Sequence, residues 1–118
     1  MSTLAIVLKS KAIKAQAIMK LHRSLWVPMQ ILKTACSENR PIVEIELFEG
    51  DYPSHAELIR AVLRIIHEEV LVADYFEIPH GEKYAGSANV EVWRIDFDTV
   101  NGILDSADEE FERQLGGI

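Results

Sequence analysis

Cys36 is the only cysteine, so no disulfide can form within the chain, and its place on an apolar helical face reads as a buried thiol rather than a nucleophile. No apolar run approaches the ~18–20 residues needed to cross a bilayer. Met1 to Ser10 lacks the basic, then apolar, then small-residue order of a secretory signal. A soluble, cytoplasmic protein without a membrane partner is therefore expected. No aromatic residues interleave with the lysines, which together with a net charge of −7 argues against nucleic acid. Gly81 and Gly86 flank Glu82-Lys83-Tyr84-Ala85 without the strand, glycine, lysine and serine arrangement of a phosphate loop. The histidines His22, His55, His67 and His80 have no second His or Cys three or four residues away, so no metal is expected. His67-Glu68-Glu69 lacks the second histidine of a zinc-protease helix, and the carboxylates Asp105, Asp108, Glu109, Glu110 and Glu112 are not set in a calcium loop. No cofactor is implied.

What the chain does have is segregated charge. Residues 1–40 carry seven basic side chains against one acid, Glu38, while residues 41–118 carry five basic against eighteen acidic. Such polarity suits docking on a charged partner. At 118 residues, with 48% hydrophobic and 26% charged, the composition is that of an ordinary folded domain. One domain over residues 1–118, burying roughly two-thirds of its unfolded surface, is expected.

Hydrophobic periodicity orders the elements. Leu4 to Leu8 is a continuous apolar run, the mark of a central strand covered on both faces. From Lys11 to about Arg23 the pattern is helical, with Ile13, Ala17, Leu21 and Leu25 on one side and Lys11, Lys14 and Lys20 elsewhere. Pro28 separates this helix from a second that buries Ile31, Leu32, Ala35 and Cys36. Val43, Ile45 and Leu47 alternate with Glu44 and Glu46 as a half-buried strand. Ser54-His55-Ala56-Glu57 fits a capping box, opening a helix striped with Ile59, Val62, Leu63, Ile66 and Val70. Leu71 to Ile78 reads as a strand, residues 79–89 as a loop and Val90 to Phe97 as a further strand. A last helix, capped by Asp98, Thr99 or Ser106, runs to Gly116-Gly117. The expectation is an α+β fold of order β-α-α-β-α-β-β-α, with the helices packed on one small sheet.

The order from Leu4-Ala5-Ile6-Val7-Leu8-Lys9 through Lys11-Ala12-Ile13-Lys14 to Ile59-Arg60-Ala61-Val62-Leu63 resembles the C-terminal domain of the bacterial ribosomal stalk protein. That family also runs strand, lysine-bearing helix, second helix, strand and third helix. Here Leu25-Trp26-Val27-Pro28 stands where the family has a glycine-containing connection, and the acidic part after Val70 has no counterpart there. By this resemblance Lys11, Lys14 and Lys20 would be contact residues.

Three function classes follow. In the first, an inhibitor, acidic residues meet a basic toxin domain such as a nuclease, by electrostatic steering with aromatic anchors. Its contact residues would be Glu44, Glu46, Asp51, Tyr52, Tyr84, Asp105, Asp108, Glu109 and Glu112. In size and acidity the chain is similar to bacterial immunity proteins, which neutralise toxins delivered between neighbouring cells. In the second class, an adaptor or translation-associated module binds an acidic protein through Lys11, Lys14 and Lys20. A third, a small enzyme, would need His80 or His22 beside a carboxylate. A homodimer joining basic to acidic faces is a further expectation. The inhibitor is the leading reading, with no catalytic residue assigned.

Overall fold

Five of the six residues in strand β1 (Thr3–Leu8) are buried, because the strand lies inside a four-stranded sheet with a layer on each side. The computed structural model describes residues 2–9 and 13–116; Lys11 lies outside them. The sheet order is β2 (Pro41–Glu46), β1, β3 (Ala73–Ile78), β4 (Arg94–Ile95), and each neighbouring pair is antiparallel. Pro41 opens β2 on one sheet edge, where a missing N–H is tolerated.

Four helices cover one face: α1 (Ala15–Leu25), α2 (Met29–Ser37), α3 (Tyr52–Glu68) and α4 (Phe97–Gly116). Their apolar stripes pack on Leu4, Ile6 and Leu8 of β1, Val43 of β2 and Tyr75 of β3. Alternate residues of the same strands, Ala5, Val7, Phe76 and Ile78, form a second cluster on the opposite face. That cluster is covered by Tyr84, Val90 and Trp93 from the long β3–β4 connection. The continuous apolar run of β1 is thus a two-sided strand, and the α+β class holds.

Several expectations of local structure need correction: Ile31 and Val70, expected on buried helical stripes, are 57% and 85% exposed, Val70 lying just past the end of its helix. Val90 to Phe97 is not one strand: Val90–Trp93 is a 3-10 turn and only Arg94 and Ile95 join the sheet, opposite Phe76 and Tyr75. In a 3-10 turn residues i and i+3 point the same way, so Val90 and Trp93 both reach the sheet while Val92 is exposed. Helix α3 begins at Tyr52, not after Ser54. Asp51 caps it, accepting from the Ser54 amide at 3.3 Å and the Ser54 hydroxyl at 2.7 Å, with Pro53 in the first turn. At α4 the carboxylate accepting from the Thr99 amide, at 2.7 Å, is that of Asp96.

Three helices end on left-handed residues that are not glycine: Trp26 (φ 58°), Asn39 (φ 55°) and Val70 (φ 53°). Around Val70 the Schellman bonds are complete, Val70 N–H to His67 O at 3.3 Å and Leu71 N–H to Ile66 O at 2.9 Å. Asparagine suits this conformation, but tryptophan and especially β-branched valine adopt it at a cost.

Candidate functional site

The acidic and aromatic residues singled out in the sequence separate into two groups on opposite sides of the sheet. Glu44 and Glu46 alternate with Val43 and Ile45 on β2, so they point away from the helices. Beside Glu44, the Tyr84 amide donates to its carboxylate at 3.3 Å, the Tyr84 hydroxyl donates to Asn39 O at 3.3 Å, and the ring meets Phe76 edge-on at 5.3 Å. Tyr84 therefore pins the β3–β4 connection over the sheet. Asp74 in the same layer pairs with Lys9 at 3.3 Å and with Arg94, whose guanidinium stands 5.3 Å over Phe76.

On the helix side, α4 carries six acids, Asp98, Asp105, Asp108, Glu109, Glu110 and Glu112, against one base, Arg113. Its apolar stripe, Val100, Leu104 and Phe111, joins the helix-side core, with Leu104 and Phe111 beside Tyr52 at the start of α3. Tyr52, buried in the first turn of α3, holds the two helices together: its hydroxyl donates to Asp108 at 2.7 Å and stands 3.1 Å from the carbonyl of Leu104. Two turns along α3, Arg60 donates to the same Asp108 and, at 3.2 Å, to Asp105. Burial foremost, then the bond to Asp108, raises the proton affinity of the Tyr52 hydroxyl. The Tyr52 hydroxyl, followed by Arg60, holds the Asp108 carboxyl below the ordinary carboxylate range.

Next to this junction lies an aromatic row. Phe48, 43% exposed in the β2–α3 connection, stacks on Tyr52 at 5.6 Å, and Tyr52 tilts against Phe111 at 6.0 Å. His55 fixes the connection through Nδ1, 3.2 Å from Leu47 O. An open groove of 640 Å³ runs between Phe48 and α4, floored by Ile103 and Ala107. A second, of 310 Å³, lies between α3 and α4 beside Phe111. Glu49, Glu57 and Glu112 are exposed around this shelf, and none has a cation of the described residues within ion-pair distance. Chemically it is an apolar strip in a ring of negative charge, held rigid by internal bonds.

Several expected contact residues thus have internal duties. Asp51 caps α3, Tyr52 and Asp108 brace α4 and Asp105 pairs with Arg60; Glu112 remains exposed on the shelf, while Glu109 is exposed on the other side of α4. Phe48, Arg60 and Phe111 complete the shelf; helical spacing puts Phe111 on the apolar stripe of the last helix, but no local pattern marks Phe48 or Arg60. Of the lysines, Lys14 is exposed at the N-cap of α1, but Lys20 pairs with Glu69 at 3.2 Å and Glu68 at 3.6 Å. His22 is also engaged, its Nδ1 lying 2.8 Å from Val27 O in the α1–α2 connection.

Among the described residues no group of three or more His, Cys, Asp or Glu is arranged to hold a metal ion. No described helix is long and apolar enough to cross a membrane. No protein-family model, no curated protein and no solved structure matches the chain.

Proposed function

We propose that this protein is an inhibitor of the immunity type, which neutralises a basic toxin domain, for example a nuclease, by binding it through the acidic shelf of α3 and α4. The observation that carries this reading is the row Phe48, Tyr52 and Phe111 bordered by Glu49, Glu57 and Glu112, exposed acids with no cation of the described residues within ion-pair distance. Acids already neutralised within a chain add little to a partner's field, whereas unpaired ones steer encounter and can raise association rates by roughly 10–10³. The aromatic strip supplies the desolvated centre that such an interface needs. Tyr52 and Arg60 support it by fixing the shelf before binding, which limits the ordering entropy lost on association. In this reading the protein acts in the bacterial cytoplasm, where a delivered nuclease would do its damage, and it needs no catalytic residue of its own.

Affinity recovery of the tagged protein from its own cells, at low and at moderate salt, tests the reading. A single basic polypeptide held at both salts, whose toxicity the protein suppresses when the two are co-expressed, is the expected outcome. Recovery of translation machinery instead, lost on reversing Lys14, would replace the inhibitor with the adaptor.

A further inference from the structure

The solvent side of α1 carries an apolar stripe that the fold does not use. Ala17, Ile18 and Leu21 face the core, while Met19 and Arg23, spaced i and i+4, share the opposite side and are exposed, and Trp26 follows, exposed, at the helix end. Trp26 is 87% exposed and sits in the left-handed conformation that normally selects glycine, so a large apolar side chain is held in water on a strained residue. Ile31 on α2 adds another exposed apolar side chain to this hairpin. Residues 13–37 contain no Asp or Glu, and of their four cations, Lys14, Lys20, Arg23 and Lys33, only Lys20 pairs with an acid of the described residues.

The far end of α4 has the opposite character. Its core stripe, fully buried at Leu104, is half-buried at Phe111 and reaches Leu115 at 58% exposure, so the helix continues its apolar face past the body that covers it. Glu112 flanks that uncovered face on one side and Glu110, paired with Arg113, on the other. Each surface thus has what the other lacks: one is apolar with Lys14, Arg23 and Lys33 unpaired among the described residues, the other apolar and acid-rimmed.

We propose that this protein self-associates, the Met19, Arg23 and Trp26 surface of one copy receiving the Phe111 to Leu115 end of α4 from a second. The contact joins unlike surfaces, so it closes into a pair making both contacts or continues to larger assemblies. Trp and Arg, the side chains most enriched at interface hot spots, form its centre. Because Glu112 also rims the shelf, assembly and partner binding compete, but self-association stands whether or not the partner is a toxin.

Light-scattering mass across a concentration series of purified protein tests it. The expected mass rises from the 13.3 kDa of one copy to that of two or more. Trp26→Gly, which keeps the left-handed helix end, should weaken the association by at least about 30-fold. Arg23→Glu should weaken it too, and Arg23→Glu combined with Glu112→Arg should restore it. A monomer at every concentration, or association untouched by Trp26→Gly, would overturn the proposal. So would a monomer that instead co-sediments through Trp26 with vesicles of anionic lipid, which assigns the stripe to a membrane surface. Since the readout uses purified protein and α1 variants, it is independent of whether a basic partner is recovered.

Discussion

Tyr52 and Asp108 stand 56 residues apart in the chain and are joined by a 2.7 Å hydrogen bond that locks the first turn of α3 to the second half of α4. The phenol is buried and its acceptor is a carboxylate, so the bond is charge-assisted and partly shielded from water. Tyr52→Phe keeps the ring stacked on Phe48 while removing the donor. It should lower stability by about 1.5–3 kcal/mol, the range for hydrogen bonds to charged groups, read as a lower denaturant midpoint at unchanged slope. An unchanged midpoint would mean that the hydroxyl does not brace the helix pair.

The same bond sets an acid limb. The folded carboxyl of Asp108 titrates below its unfolded value, so its contribution is present above the ordinary carboxylate range and disappears as pH falls through the lower, folded value. Asp51 and Asp96, lowered by their bonds to Ser54 and Thr99, act in the same direction. Asp108→Asn should therefore be less stable than wild type at neutral pH, with the gap narrowing as pH approaches about 3. Denaturant midpoints across that range read the difference.

Val70 gives the opposite sign of change. It occupies the glycine position of a complete Schellman motif at φ 53°, with its side chain in water. Val70→Gly relieves a left-handed conformation worth roughly 1–2 kcal/mol, offset in part by roughly 0.5–1 kcal/mol of backbone entropy. A net gain of up to about 1 kcal/mol, a rise of a few degrees in melting temperature, is expected.

The outer layer of the sheet depends on Phe76, 1% exposed and in contact with the Tyr84 ring and the Arg94 guanidinium. Phe76→Ala should cost roughly 3–5 kcal/mol. It should also loosen the β3–β4 connection enough for trypsin to cut after Lys83 in otherwise native conditions. Equal trypsin resistance in variant and wild type would show that the connection is held independently of this ring.

Periodicity in the sequence was enough to place β1 under cover on both faces, to put Val43 and Ile45 on the core side, and to trace the stripe of α3 through Ile59, Val62, Leu63 and Ile66. It failed where two periods fit the same letters. Val90-Glu91-Val92-Trp93 reads as alternation, yet Val90 and Trp93 also lie three apart, and the apolar patch of Ala5, Val7 and Phe76 selects the 3-10 turn. Asp51 outcompetes Ser54 as the cap of α3 because Tyr52 and Pro53 then fill the first turn, a choice that local signals leave open. The acids of α4 were visible as charge, but not which were already engaged. Arg60 lies 45 and 48 residues from Asp105 and Asp108, and no local pattern reports a contact across that distance. Phe48 escaped notice for the same reason, since its stacking on Tyr52 follows from the turn after β2.

The most direct test of the shelf as the working surface is affinity recovery with three forms of the protein: wild type, Glu112→Lys on α4, and Glu44→Lys with Glu46→Lys on β2. All three positions are exposed, so each form should fold, which circular dichroism and thermal melting would verify. A basic polypeptide recovered by wild type and by the β2 form, and lost from the α4 form, is the expected result. Its retention by the α4 form, or its loss from the β2 form alone, would contradict binding through α3 and α4.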